Sequence, residues 1–514
     1  MGRIFTGFAV ALSLFLLHLA IVMPSHPAGL TIGRFLRPTW ELPVVIIALA
    51  SFRGSVLRGI VVFAAASLIV LRAADLGTYM AFSRPFNPLL DLHLLVSGWD
   101  LLAASIGRLA AIATLGGAGL TIMALAVVLW LSLARAARSA RACRIAAALP
   151  VLALAASFAL PGSTPFFATP VVAGQIARIS RGVADLTEFT AALDSRPSRQ
   201  PEFAALEGHD VVLAFVESYG RTFLDDPEFR ALSRPRLQAI EARLADAGWS
   251  VASGWVAAPT RGGQSWLSHA TFLSGLRVDS QIRHDRLMTS SYPSLNGDFG
   301  AAGWRTGAAM PAITLDWPEA GWYGYDMTLD AHTLGYRGKP FEWVTMPDQY
   351  TWSAMDRLLR GPGADMIEMA LVTSHAPWTP LPEIVEWDAI GDGSIFDGTR
   401  RTGGTPREVW SDPARIRSQY ALSLNYALEV TGQYIARQGA DAVFFVLGDH
   451  QPAPLLTGQD APPDVPIHVI AEDPTLLDRL PAQIFSAGMF PDPGASVIPM
   501  EDMRALIVDA FDAN

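Results

Sequence analysis

Five apolar stretches crowd the first 166 residues, at 4–23, 40–52, 59–82, 109–134 and 145–160. A helix needs about 20 apolar residues to cross a bilayer. Each stretch is therefore read as a membrane span, the short second one being extended at its ends. The first lacks a small-x-small cleavage site and four more follow, so it reads as an anchor and not as a signal peptide. A composition that is 51% hydrophobic and only 17% charged agrees with a membrane protein.

Arginine placement orients the bundle. Arg135, Arg138, Arg141 and Arg144 crowd residues 134–144, and Arg53, Arg58 and Arg3 fall on the same side. By the positive-inside rule that side is cytoplasmic. Five spans then put the N-terminus inside and everything after 160 outside. The expectation is a multi-pass protein of the inner (cytoplasmic) membrane with its catalytic domain on the periplasmic or extracellular side. Cys143, the only cysteine, sits at the cytoplasmic face and is read as incidental; it excludes an intramolecular disulfide and a cysteine-based metal site.

Residues 1–166 hold twelve arginines and four acids, whereas the rest of the chain holds 26 basic and 44 acidic residues. A soluble part this acidic is a poor nucleic-acid binder, and no nucleic-acid partner is expected. The stretches 85–108 and 169–193 mix apolar residues with Asp and Arg at helical spacing. They read as interfacial helices, and 194–201 reads as a linker. The expected division is 1–165 transmembrane, 166–207 interfacial helix and linker, and 208–514 catalytic.

From Gly208 onward strands and helices alternate. The strand candidates are 211–217, 304–309, 369–373, 442–447 and 466–471; the helix candidates are 234–247, 265–276, 416–438 and 500–512. Strands separated by helices predict a mainly parallel sheet. Residues 387–410, rich in Gly, Asp, Thr and Arg, read as a long surface loop near the site.

Two of these strands end in metal-capable side chains. The run Val211-Val212-Leu213-Ala214-Phe215-Val216 delivers Glu217, and Phe444-Phe445-Val446-Leu447-Gly448 delivers Asp449 and His450. In open α/β sheets ligands bind beyond the carboxyl ends of strands, so the two ends together suggest one metal site. A lone Glu at a strand end is ordinarily just solvated. Here Ser218-Tyr219-Gly220 supplies a turn that aims it over the sheet edge. Carboxylate and neutral imidazole suit Zn²⁺ or Mn²⁺.

Between them, Thr260-Arg261-Gly262-Gly263-Gln264-Ser265 opens a helix. Ser265 sits where an N-cap would sit, and capping is the ordinary reading. The functional reading uses the same place: a hydroxyl at the positive end of a helix, beside a divalent cation, becomes a nucleophile, and the helix amides hold phosphate oxygens. His269, Ser268 and Thr271, one turn on, read as packing or support. His375, in Ser374-His375-Ala376-Pro377, follows another apolar strand. It is either a loop histidine or a group that binds a phosphoryl oxygen or protonates a leaving alkoxide. The remaining histidines have no comparable setting.

These motifs carry a resemblance. Glu217–Arg221, Gly262–Ser265, Ser374-His375-Ala376-Pro377 and Gly448-Asp449-His450-Gln451, in this order behind five spans, resemble the sulfatase-like branch of the alkaline phosphatase superfamily. More narrowly, they resemble lipoteichoic acid synthases and the phosphoglycerol and phosphoethanolamine transferases of bacterial envelopes. The resemblance implies an α/β alkaline-phosphatase/sulfatase-like domain holding one divalent metal ion (Mn²⁺, Zn²⁺ or Mg²⁺) on Glu217, Ser265, Asp449 and His450, with Ser265 in place of the usual threonine nucleophile. It implies a membrane phospholipid donor and an envelope glycan or lipid acceptor, and the hydrolase alternative stays open. The Cys/Ser-x-Pro-x-Arg signature of true sulfatases is absent, because Trp266-Leu267-Ser268 follows Ser265. Phosphoglycerol transferases of this kind grip the headgroup with His and Trp-Asn-Arg. The matching positions here are Met310, Trp317 and Glu319, so Trp317, Glu319 and Arg261 are the expected substrate contacts. Glu319 in place of Arg suggests a headgroup that carries an ammonium.

Overall fold

A computed structural model describes residues 2–52, 54–92, 94–95, 98–99, 102–103, 107–138, 148, 151–152, 166–195, 200–439 and 441–512. All but three positions of the fifth apolar stretch lie outside these residues. So do Arg53, Cys143, Arg141, Arg144 and residues 196–199 of the linker. The chain divides into two units, Met1–Thr187 and Glu188–Asn514.

In the first unit three helices are long and apolar enough to cross a membrane: Phe5–Val22, Ser55–Phe82 and Arg108–Ala136. Five were expected; three are found among the described residues. The second stretch folds as Glu41–Ser51, eleven residues. At about 1.5 Å per residue it reaches roughly 16 Å, against a hydrocarbon core of about 30 Å. Its start is fixed by Glu41. That carboxylate accepts the backbone N–H groups of Phe167, Ala168 and Thr169 at 2.7–3.0 Å. An acid at the positive end of a helix is favourable, and here it anchors the helix Ala168–Asp194. Val10, Leu17 and Ile21 pack against Leu42, Ile46, Leu129 and Leu133. The opposite faces leave Phe8, Phe63 and Leu109 exposed, as a lipid-facing surface requires.

The second unit is built on one nine-stranded sheet: β1 (Asp210–Val216), β2 (Ser250–Ala257), β3 (Arg305–Ala309), β4 (Met327–Leu329), β5 (Asp365–Leu371), β6 (Ala442–Gly448), β7 (Asp464–Ala471), β8 (Ser486–Ala487) and β9 (Val497–Pro499). The order is β4-β3-β5-β1-β6-β7-β2, with β8 and β9 both pairing the outer edge of β2. The first five strands of that order are mutually parallel. β7 departs from the parallel set and runs antiparallel to β6 and β2. A parallel return needs a crossover, usually a helix, and the β6–β7 connection holds only the four-residue helix Pro454–Thr457.

Alternation along β1 sorts its side chains between two cores. Val212, Ala214 and Val216 face one, which is covered by the helices Pro227–Asp246 and Pro413–Ala436. Val211, Leu213 and Phe215 face the other, covered by Ser265–Ser274 and Met503–Phe511. The segment 387–410 is not a free loop. Ile390, Phe396 and Val409 are buried in the first core.

Candidate metal centre

Strand register creates the site. Val216 pairs with Leu371 of β5 on one side and with Gly448 of β6 on the other. The residues that follow these three strand ends therefore emerge side by side, at a place where chain order reverses on either side of β1. Two glycines make the approach possible. A Cβ on Gly448 would stand 1.9 Å from the Tyr219 carbonyl oxygen, and one on Gly220 would stand 1.9 Å from Gln451 Oε1.

Glu217, Asp449 and His450 are all buried, with one ligand atom from each lying within 4.8 Å of the others. His450 Nε2 is 3.4 Å from Glu217 Oε1 and 3.7 Å from Asp449 Oδ2. His450 Nδ1 lies 2.8 Å from the Gln451 carbonyl and donates to it, which points Nε2 at the acids. Asp449 Oδ1 accepts the N–H groups of Ser218 and His450 at 2.8 and 2.7 Å. Ser218 takes a left-handed conformation, φ 58°, that directs its N–H there.

Ser265 joins this group. Its Oγ donates to Glu217 Oε2 at 3.1 Å and lies 3.2 Å from His450 Nε2. The capping role expected as ordinary does not apply. Gln264, at φ 65°, is the cap residue, and Ser265 is the first residue of the helix. Its hydroxyl is thereby turned toward the acids and away from the helix amides. Two carboxylates, an imidazole and a hydroxyl around one point form a donor set that fits a divalent cation.

Electrostatics without a cation agree. Burial raises the Glu217 carboxyl, but the His375 and His450 imidazoles and hydrogen bonds from His450 and Ser218 outweigh it, so Glu217 lies well below the usual carboxylate range. Burial and the Glu217 charge push Asp449 up to about 7. For His450 burial works downward, but Asp449 and Glu217 carry it up to about 9.

His375 stands at the rim. Its Nδ1 lies 2.5 Å from the Ala376 carbonyl and donates to it, and its ring stacks on Trp343 at 3.7 Å between centroids. The neighbouring Ser374 hydroxyl donates to the Glu217 carbonyl at 2.6 Å. Trp343, half open to solvent, was not foreseen. It comes from a separate loop with no local signal. Removing one face of a stacked pair costs about 0.5–1.5 kcal/mol. Trp343→Ala is therefore expected to lower kcat roughly two- to tenfold with KM little changed, in steady-state assays of the full chain.

Asp348 braces the same turn. Its Oδ1 accepts the N–H groups of Val372 and Thr373 at 2.7 and 3.0 Å. It is fully buried, and burial pushes its carboxyl up to about 6. A folded pKa raised above the unfolded value of 3.8 gives stability present below pH 4 and lost as pH rises through 6. Two pK units amount to about 3 kcal/mol. Asp348→Asn should remove this loss. The Tm difference between variant and wild type is expected to shift in the variant's favour from pH 4 to 7; a constant difference would contradict the assignment.

The expected substrate residues are placed unequally. Arg261 pairs by a parallel bridge with Gln451, next to His450. Trp317 packs 5.5 Å from Tyr323 and 5.9 Å from Tyr325. The Tyr325 hydroxyl bonds Glu368, which also meets His269 Nδ1 at 2.5 Å. Glu319 acts electrostatically on His284 and Tyr323. Among the described residues no hydrogen bond or ion pair links Trp317 or Glu319 to the metal-capable group. His269, one turn from Ser265 and stacked on Phe215 at 3.8 Å, is thus tied into a buried polar cluster. Glu368, the centre of that cluster, carried no sequence signal.

No family model matches the chain, and no curated protein matches it in sequence. Among solved structures it is similar to the lipoteichoic acid synthase LtaP from Listeria monocytogenes, at 12% identity and TM-score 0.38 over 62% of this chain and 76% of that one. It is similar to the Streptococcus pyogenes phosphoglycerol transferase GacH, solved with sn-glycerol-1-phosphate, at 12% identity and TM-score 0.39, over 64% and 81%. A phosphonate monoester hydrolase of Agrobacterium radiobacter follows at 14% and 0.34, over 57% and 72%. These are remote likenesses, all below a TM-score of 0.4; the chemistry is read from the site itself.

Proposed function

We propose that the chain is a membrane-anchored phosphotransferase that moves a headgroup phosphate from a phospholipid to an envelope glycan or lipid through a covalent Ser265 intermediate. The observation that carries this reading is the Ser265 hydroxyl at the start of a helix, 3.1 Å from Glu217 and 3.2 Å from His450. Glu217, Ser265, Asp449 and His450 would hold one divalent cation, Mn²⁺, Zn²⁺ or Mg²⁺. Bound there, it would favour the ionised Ser265 hydroxyl and offset charge on phosphoryl oxygens.

In the first half-reaction the Ser265 hydroxyl gives its proton to Glu217 Oε2, to which it is hydrogen-bonded, Oγ forms a bond to phosphorus, and the bond to the diacylglycerol oxygen breaks. The positive end of the helix Ser265–Ser274 would favour the charge on the phosphoryl oxygens. His375, whose Nδ1–H is engaged by the Ala376 carbonyl, presents Nε2 to the departing oxygen and gives it a proton. In the second half-reaction His375 Nε2 takes the proton of an acceptor hydroxyl as its oxygen bonds phosphorus, the bond to Ser265 Oγ breaks, and Glu217 returns the proton to Ser265. The membrane helices keep the reaction beside its lipid substrate, which raises effective concentration. The arginine bias favours the outer face of the cytoplasmic membrane.

With water as acceptor the same first step makes a phosphodiesterase or phosphatase. Product analysis with and without a glycan acceptor separates the two. A catalytically silent sensor would instead retain its cellular phenotype after Ser265→Ala. Arg261, Trp317 and Glu319 are proposed as substrate contacts, and the Glu319 carboxylate beside Trp317 favours a headgroup with an ammonium. Phosphatidylethanolamine should then turn over faster than phosphatidylglycerol in an assay of diacylglycerol release; equal rates would sink that preference.

A further inference from the structure

A cavity opens beside the short helix Glu41–Ser51 of the membrane unit. Its walls include Val10 and Leu14 of the first helix, Ile46 and Leu49 of the short one, and Leu133 near the end of Arg108–Ala136. Among the described residues one charged side chain lines it, that of Arg58. The Arg58 guanidinium lies 5.3 Å from the Trp130 ring, and its Nε–H is buried with no partner. A buried guanidinium N–H left unpaired favours any occupant that can accept its hydrogen bond.

Charge at this end has one sign. Arg135 and Arg138 flank Ala136 and Ala137, which also line the cavity. In sequence the stretches 53–58 and 135–144 hold six arginines and no acid. An occupant must therefore be apolar along most of its length, anionic at one end, and able to accept a hydrogen bond from Arg58 Nε. We infer that this cavity is a binding site for an anionic diacyl phospholipid, with its phosphate on Arg58 and an acyl chain between the first helix, the short helix and Leu133. Basic pockets between membrane helices commonly hold such headgroups. The site is separate from Ser265 and does not depend on what reaction Ser265 performs.

The test uses the full chain, purified in detergent and stripped of lipid, with phosphatidylglycerol or phosphatidylcholine of the same acyl chains added back. Native mass spectrometry and Tm are read for each. Phosphatidylglycerol is expected to remain bound at collision energies that strip phosphatidylcholine, and to raise Tm further. Arg58→Gln should abolish that difference. Arg138→Gln, on an arginine outside the cavity wall, should leave it, and Leu49→Trp, which fills the cavity, should remove retention of both lipids. Equal stabilisation by the two lipids, or a preference that survives Arg58→Gln, overturns the site. So does a preference that Arg138→Gln reduces as much as Arg58→Gln, which would mean diffuse charge. If Arg58→Gln does not assemble, Leu49→Trp decides: unchanged retention of phosphatidylglycerol overturns the site.

Discussion

Ser265→Ala is expected to lower release of diacylglycerol from phospholipid by roughly 10⁴-fold or more, because among the described residues Ser265 Oγ is the side-chain hydroxyl within hydrogen-bond reach of both Glu217 and His450. The fold should be nearly unaffected. Ser265 Oγ makes its contacts with Glu217 and His450, and both keep other partners: Glu217 the Ser218 hydroxyl at 2.7 Å, and His450 the Gln451 carbonyl. Loss of one such bond costs about 1 kcal/mol. Three of the four proposed cation ligands remain, so the variant should still bind metal. A folded, metal-binding and inactive Ser265→Ala separates a nucleophile from a structural serine. A variant that retains even a tenth of wild-type turnover would assign the attack to water or to another residue.

Chelation is expected to have the second largest effect. Removing a divalent cation should abolish activity, and adding Mn²⁺ or Zn²⁺ back should restore it. A ligand that binds only the folded state stabilises by about 2.7 kcal/mol at a hundredfold excess over Kd. For a unit of this size that is a rise in Tm of roughly 4 °C. The sign of the pH dependence follows from the protons the cation must displace. With His450 carried up to about 9 and Asp449 up to about 7, the metal-free site holds a proton on His450 between pH 7 and 9 and a second on Asp449 below 7. Metal affinity should therefore rise about tenfold per pH unit from 7 to 9 and fall more steeply below 7. His450→Ala should remove the upper limb. Calorimetric titrations at several pH values measure both slopes; affinity independent of pH over this range would mean that metal binds elsewhere.

Much of the site could be read from the chain because each of its residues directly follows a strand or opens a helix. Glu217 and Asp449 stand at the ends of apolar runs whose mutual register the structure supplies. His375 was recognisable in the same way, after β5. The direction of a strand is not encoded in its apolar residues, and so nothing in the sequence marks β7 as the strand that runs antiparallel. β2 was not foreseen because Ser253 and Gly254 interrupt its pattern; Ser253 is there to bond the buried His468 at 2.7 Å. Asp348, Trp343 and Glu368 act across 25 or more residues of intervening chain, on Thr373, His375 and His269 respectively. No local periodicity could announce them. In the membrane unit, hydrophobicity alone made the stretch 40–52 look like a span. The Glu41 carboxylate, held by the distant amides of 167–169, fixes where the helix begins.

The most direct test is the mass of the trapped intermediate. Full-length protein loaded with a divalent cation, incubated with total lipid extract and quenched in acid, should yield a peptide containing Ser265 that is heavier by one phosphorylated headgroup. The same peptide from Ser265→Ala should be unmodified, and the mass increment should name the donor. An adduct on another residue, or an active enzyme with no adduct at all, would contradict covalent transfer through Ser265.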